Sequence, residues 1–126
     1  MKIAITSVTK EKESVIDERF GRCNYFAIYD TESKSFEFVE NKGVTSSQGA
    51  GIAAGQQLLD CGVEAVITGY VGPNAMKVLQ GGNVNIYKCN GKSIQEEINL
   101  FSDNKLENIN EAGPAHAGMR NRNGRA

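Results

Sequence analysis

The chain has 126 residues, of which 40% are hydrophobic and 23% are charged, and its formal net charge is -1 at pH 7. This length allows one compact domain with a single core but not two. The near-neutral charge gives no overall attraction to nucleic acid or acidic lipid, and no apolar run approaches the roughly 18 residues of a membrane span. The start MKIAIT leads directly into a strand pattern without the apolar region of a signal peptide. We therefore expect a cytoplasmic protein that binds neither nucleic acid nor membranes.

The first part of the chain predicts three β-strands. Lys2 to Thr6 alternates around two isoleucines, and Tyr25 to Asp30 and Ser35 to Glu40 are alternating runs rich in aromatic residues. A short polar link, residues 31 to 34, joins the second and third runs. This pattern is typical of a β-hairpin that follows a first strand.

The second part predicts helices that alternate with strands. Gly49 to Cys61 has small residues early, leucines later and Gly62 at the stop position, as expected for a helix that packs closely on a sheet. The sequence then predicts an apolar strand at 65–67, a glycine-rich turn, a helix at 74–80 and a strand at 84–87. A last helix begins with a capping box formed by Ser93 and Glu96.

These elements predict an α/β fold with the order βββαβαβα. The antiparallel first half and the crossovers of the second half give a mixed five-stranded sheet with helices on both faces. We assign residues 1–111 to this domain. Residues 112–126 are rich in glycine, arginine and asparagine without periodicity, and we expect them to form a flexible tail.

Several glycines fall where ligands bind in open α/β sheets, beyond the carboxyl ends of the parallel strands. Gly49 and Gly51 lie at the start of the first helix, whereas Gly69, Gly72 and the following Asn74 lie in the turn before the second. Glycine permits close approach of a ligand to the backbone, and the free N–H groups of a helix start favour anions. The alternative is that these glycines only shape turns.

Charged and thiol side chains occur together in the segment DERFGRCNYF, residues 17–26. Arg19 and Arg22 could hold an anion at the rim of this pocket, or they could pair with Asp17 and Glu18 instead. A neighbouring cation would lower the pKa of Cys23 and favour the thiolate that binds soft metals, whereas a buried structural cysteine is the alternative. The two other cysteines, Cys61 and Cys89, are distant in sequence, and all three are expected to be reduced thiols.

Catalytic groups are scarce in this sequence. The single histidine, His116, lies in the predicted tail near Met119, where both side chains could bind a soft or borderline metal. No ordered Ser-His-Asp or Cys-His set can be formed, so we predict no catalytic residues. The element order also suits ribonuclease H-like folds, but the first strand lacks the carboxylates with which such nucleases hold two metals.

Three motifs together resemble the dinitrogenase iron-molybdenum cofactor biosynthesis family. These are DERFGRC ahead of Tyr25-Phe26, GAGI at the start of a helix, and VITG followed by GPNA, and the resemblance covers about residues 1 to 103. It implies a ribonuclease H-like three-layer α/β/α fold without nuclease activity. Relatives that serve nitrogenase often have histidine where this chain has Arg19, so one metal ligand of those relatives is missing here.

The resemblance implies that the protein binds or carries an anionic iron-sulfur or molybdenum-containing cluster, and that it is not an enzyme. Its implied binding residues are Arg19, Arg22, Cys23, Gly49, Gly51, Gly69, Gly72 and Asn74. The candidate metal ligands, from their side-chain chemistry, are Cys23 and His116. Cluster donor and acceptor proteins would be its partners, and we expect a monomer or a weak dimer. The alternative is a module that binds a small anion or a protein partner and holds no cluster.

Overall fold

The architecture is that of a computed structural model, which describes residues 1–45 and 49–109. Within these residues the elements are β1 (Lys2–Ser7), β2 (Tyr25–Asp30), β3 (Ser35–Glu40), α1 (Ala50–Asp60), β4 (Ala65–Thr68), α2 (Pro73–Gly81), β5 (Asn85–Lys88), α3 (Ile94–Ser102) and β6 (Glu107–Asn108). Short 3₁₀ turns cover Phe20–Arg22 and Lys42–Thr45. The predicted tail at 112–126, including His116, lies outside the described residues.

The described strands form one open mixed sheet in the order β3-β2-β1-β4-β5-β6. The three strands at the β3 side are antiparallel, whereas β1, β4 and β5 are parallel, as the alternation of strands and helices predicts. The predicted number of five strands is wrong, because β6 pairs with β5 as a sixth. With only two residues, both polar, β6 has no alternating pattern that the sequence could reveal.

Two apolar clusters show that helices cover both faces of the sheet. On one face, α1 and α2 contribute Ala54, Leu58 and Leu79 to a cluster that includes side chains of β1, β2 and β4. On the other face, α3 contributes Ile94 and Ile98. The residues alternate between the two clusters along β1, since Ala4 belongs to the first and Ile3 and Ile5 to the second.

The helix ends follow their local sequence. Gly62, just after α1, adopts a φ of 79°, a left-handed conformation that favours glycine. The predicted capping box of α3 is present, with Ser93 accepting a hydrogen bond from the Glu96 amide and Glu96 accepting one from the Ser93 amide. None of the described helices is long and apolar enough to cross a bilayer.

Candidate functional site

Hydrogen bonds from the sheet hold residues 17–23, which we call the arginine loop, next to the turn between β4 and α2. The Asp17 amide donates to the Thr6 carbonyl at 2.9 Å, and Thr6 Oγ1 donates to the Asp17 carbonyl and contacts Thr68 Oγ1. The amides of Gly69 and Tyr70 both donate to the Glu18 carbonyl, at 3.1 and 3.0 Å. The carboxyl ends of β1 and β4 therefore fix the loop, as expected for a ligand site in an open α/β sheet.

Small residues let the arginine loop, α1 and α2 approach one another closely. A Cβ atom added at Gly21 would lie 2.9 Å from the Gly51 nitrogen, and one added at Gly51 would lie 3.0 Å from the Ala75 Cβ. Larger side chains at either glycine would separate the three elements. The starts of both helices consequently converge on the loop.

A cleft of about 750 Å³ opens where these elements meet, within the roughly 300–1,000 Å³ range of small-ligand sites. Its lining residues are Arg19, Phe20, Gly21, Arg22, Gly49, Ala50, Gly51, Ile52, Tyr70, Gly72, Pro73, Asn74 and Ala75. Among the residues that the structure describes, no acidic side chain belongs to this lining.

Glycine is the N-cap residue of both helices that border the cleft, so neither N-cap residue has a side chain that could accept hydrogen bonds from the first helical amides. In α2 the first helical bond is donated by Met76 to Gly72, which leaves the Asn74 and Ala75 amides ahead of it. In α1 the amide of Ala53 bonds to Gly49, and those of Ala50 and Gly51 precede it. These amides and the helix dipoles favour an anion in the cleft.

The two arginines of the loop have different environments. The Arg19 side chain pairs with Asp17, with Nε at 3.2 Å from Oδ1, and this hydrogen bond and charge raise the pKa of Arg19. The prediction that arginine and acid pair locally thus holds for Arg19, although Arg19 also lines the cleft. For Arg22, which is exposed, the described residues provide no ion pair.

Cys23 lies in the core and does not line the cleft. Its side chain is 0% exposed, Sγ donates to the Phe20 carbonyl at 3.4 Å, and the side-chain Nδ2 of Asn41 donates to Sγ at 3.7 Å. Burial, followed by the charge of Asp17, raises the pKa of Cys23 to about 12. The prediction of a lowered thiol pKa is wrong, because burial and the nearby Asp17 charge both disfavour the thiolate.

Thiol reactivity should reflect this burial. Burial also raises the pKa of Cys89 to about 11, whereas Cys61 is only half-buried at the end of α1. At pH 8 we expect a disulfide-exchange reagent to label Cys61 at least about 100-fold faster than Cys23, since only exposed thiolate reacts. Mass spectrometry of labelled peptides measures the rates, and Cys61→Ser should remove the fast phase. Labelling of Cys23 as fast as Cys61 in folded protein would restore it as a candidate ligand.

The structure brings together most of the predicted binding residues. Those that line the cleft are Arg19, Arg22, Gly49, Gly51, Gly72 and Asn74, and their binding role stays a prediction. Gly69 does not line it and instead packs against Glu18. The lining residues that the sequence prediction did not include are Ile52 and Tyr70 among others, although an aromatic residue inside a glycine-rich turn is a usable signal for a lining residue. In the described residues no group of three His, Cys, Asp or Glu side chains could hold a metal ion.

Two of the solved structures that match this chain are similar to it in both fold and sequence. The apo form of the orange protein from Desulfovibrio gigas has a TM-score of 0.82 and 32% identity, covering 86% of this chain and 92% of that chain. A Thermotoga protein described as NifB-like, of the DUF35 family, has a TM-score of 0.77 and 39% identity, covering 89% and 98%. At 32% and 39% sequence identity, the two proteins resemble this chain in sequence as well as in fold.

Sequence comparison agrees with this result. An uncharacterized protein of Methanocaldococcus jannaschii is 35% identical over 95 residues, which cover 73% of this chain and 80% of that relative. Residues 1–104 match the family described as dinitrogenase iron-molybdenum cofactor, which confirms the resemblance seen in the three sequence motifs. The chain therefore belongs to the dinitrogenase iron-molybdenum cofactor family.

Proposed function

We propose that this protein binds and carries an anionic metal-sulfur cluster during cofactor biosynthesis or trafficking, without catalysing a reaction. The observation that carries the proposal is the cleft, where two glycine-capped helix starts and the Arg22 guanidinium converge and where no acid lines the described part of the wall. Backbone amides and guanidinium groups donate hydrogen bonds to sulfide, and their combined charge stabilises an anion. Membership of the family supports a cargo related to the iron-molybdenum cofactor.

The donor set of the cleft restricts which clusters fit. Iron-sulfur clusters are usually held by several cysteine thiolates, and no cysteine lines the cleft. A cluster whose metals are already saturated by its own sulfides needs only hydrogen bonds and positive charge, which the cleft offers. We therefore favour a molybdenum-containing, sulfide-saturated cargo that is bound without a metal bond to the described residues.

The remaining parts of the proposal concern the cellular role. Cluster donor and acceptor proteins would be the partners of a cytoplasmic carrier that is a monomer or a weak dimer. The ribonuclease H-like designation of the fold also belongs to this proposal, and the observed order of the first eight strands and helices supports it.

Arg22 provides the direct test, with tetrathiomolybdate under anaerobic conditions as the probe. We expect the native protein to bind the coloured anion, and Arg22→Ala to weaken binding about tenfold or more, because no acid of the described residues pairs with the exposed guanidinium. Binding is measured by absorbance titration after removal of free anion. The control is Lys77→Ala, which removes one exposed positive charge from α2 away from the cleft lining. If both variants bind tetrathiomolybdate with equal affinity, the cleft is not the binding site.

A second candidate function is binding of a small oxyanion, such as phosphate or molybdate, by a regulatory module. The glycine-capped helix starts favour it, because backbone amides donate hydrogen bonds to oxyanions as well as to sulfides. In that case phosphate or molybdate would raise the melting temperature of the native protein, and tetrathiomolybdate would leave it colourless after desalting.

A further inference from the structure

The carboxylate of Asp17 holds the side chain of Arg19 in place. Its Oδ1 accepts hydrogen bonds from the Arg19 backbone amide at 3.0 Å and from Nε at 3.2 Å, and its Oδ2 accepts one from Nη2 at 3.2 Å. The Asp17 side chain is 9% exposed, whereas the Arg19 side chain is 58% exposed. A nearly buried anion thus anchors an exposed cation that lines the cleft.

We propose that Asp17 is a positioning residue which, through Arg19, makes the cleft selective for large, sulfide-rich anions over compact oxyanions. The inference rests on the proposed function and names what the site discriminates against. Asp17 offsets the charge of Arg19, so Arg22 and neutral backbone amides supply most of the positive potential in the cleft. The positive electrostatic potential that an anion meets in the cleft is therefore weak, and we call this a weak field.

Anion hydration explains why a weak field gives selectivity. A compact oxyanion holds its water strongly and leaves it only for a site with a strong positive potential. A sulfide-rich anion spreads the same charge over larger, more polarisable atoms and loses its water at lower cost. Lowering the potential of the cleft consequently weakens oxyanion binding more than binding of the sulfide-rich anion.

Glu18 is a natural control, since its side chain carries the same charge as that of Asp17 but does not line the cleft, and only its backbone carbonyl, which Glu18→Gln keeps, helps to hold the loop. Its Cβ and carbonyl oxygen lie against Gly69, and its negative charge contributes to the raised pKa of Cys89. Cys89 belongs to the apolar cluster beneath α3, on the other face of the sheet from α1 and α2. Removing the charge of Glu18 should leave the cleft unchanged.

The experiment compares tetrathiomolybdate with molybdate, which share the metal, the charge and the tetrahedral shape. We expect the native protein to prefer tetrathiomolybdate at least about tenfold. Asp17→Asn should tighten molybdate binding about fivefold and tetrathiomolybdate binding less than about twofold, so the preference falls. Glu18→Gln should keep the native preference. Arg19→Lys keeps the charge but cannot form the two-point contact with Asp17, so Asp17 should hold the lysine less firmly and offset its charge less. This variant should also reduce the preference, and it serves if Asp17→Asn does not fold.

The ratio of the two dissociation constants separates selectivity from a structural role of Asp17. A merely structural Asp17 would weaken both anions equally on substitution and leave the ratio unchanged, which overturns the inference while the proposed function stands. An equal change of the ratio in Glu18→Gln overturns it as well. Native protein that binds neither anion overturns both the proposed function and this inference.

Discussion

Replacing Gly72 by aspartate should stabilise the free protein and at the same time weaken anion binding. Gly72 has the extended backbone of an N-cap residue, with φ -70° and ψ 169°, and a Cβ atom there would meet nothing within 4 Å. The new carboxylate can therefore accept a hydrogen bond from the Asn74 or Ala75 amide. These are the amides that we propose bind the cargo. We expect a gain of about 0.5–1 kcal/mol from the cap and the helix dipole. Affinity for tetrathiomolybdate should fall at least about tenfold.

Thermal unfolding and anion titration measure the two effects separately. The gain corresponds to a rise in melting temperature of roughly 2–5 °C for a domain of this size. Gly72→Ala is the matched control, because it removes the glycine without adding an acceptor. Its free energy of unfolding should fall by up to about 1 kcal/mol, since alanine is a poor N-cap residue, and it should keep most of its affinity for tetrathiomolybdate. A stabilised Gly72→Asp protein with native affinity would show that the α2 amides do not bind the anion.

Local patterns suffice to predict most of the fold. Strands β2 and β3 have the predicted bounds, and α3 begins at its capping box, because alternation and capping are properties of neighbouring residues. The sheet has one more strand than predicted, since β6 is held only by pairing with β5. Such a short polar strand depends on its partner and carries no pattern of its own.

The candidate site is less predictable, because its residues differ in contacts that are distant in the chain. Arg19 and Arg22 look alike in the sequence, yet within residues 1–45 and 49–109 only Arg19 pairs with a carboxylate, that of Asp17. The position of Cys23 next to Arg22 predicts a reactive thiol, but Cys23 is buried in the core, and this burial raises its pKa and disfavours the thiolate. Glu97 is a further example: it is fully buried and accepts hydrogen bonds from the Asn90 and Lys92 amides. No periodicity in the sequence indicates that role.

The glycines of the turn between β4 and α2 illustrate the same limit. Gly69 and Gly72 belong to one glycine-rich segment, and the sequence predicts the same binding role for both. In the fold, Gly72 borders the cleft in open space, whereas Gly69 is buried against the backbone of the arginine loop. One glycine thus leaves room for a ligand, and the other leaves room for the loop that helps to form the cleft.

Replacing Gly69 by alanine should therefore destabilise the protein by about 2–3 kcal/mol. The added Cβ would lie 2.5 Å from the Cβ and 2.6 Å from the carbonyl oxygen of Glu18, and backbone atoms cannot rotate away as a flexible side chain can. That same carbonyl accepts the amides of Gly69 and Tyr70, so displacing the loop would lengthen both hydrogen bonds. Urea unfolding measures the change in the free energy of unfolding.

Gly81→Ala is the matched control for this substitution, because Gly81 ends α2 and an added Cβ there meets nothing within 4 Å. Both substitutions restrict the unfolded chain in the same way, which by itself stabilises by about 0.4–1 kcal/mol. The difference between the two variants consequently isolates the collision with Glu18. Since the displaced loop carries Arg19 and Arg22, Gly69→Ala should also bind tetrathiomolybdate more weakly at temperatures where it is folded. If both variants unfold at the same urea concentration, the arginine loop does not need the close approach of Gly69 and Glu18 to keep its place.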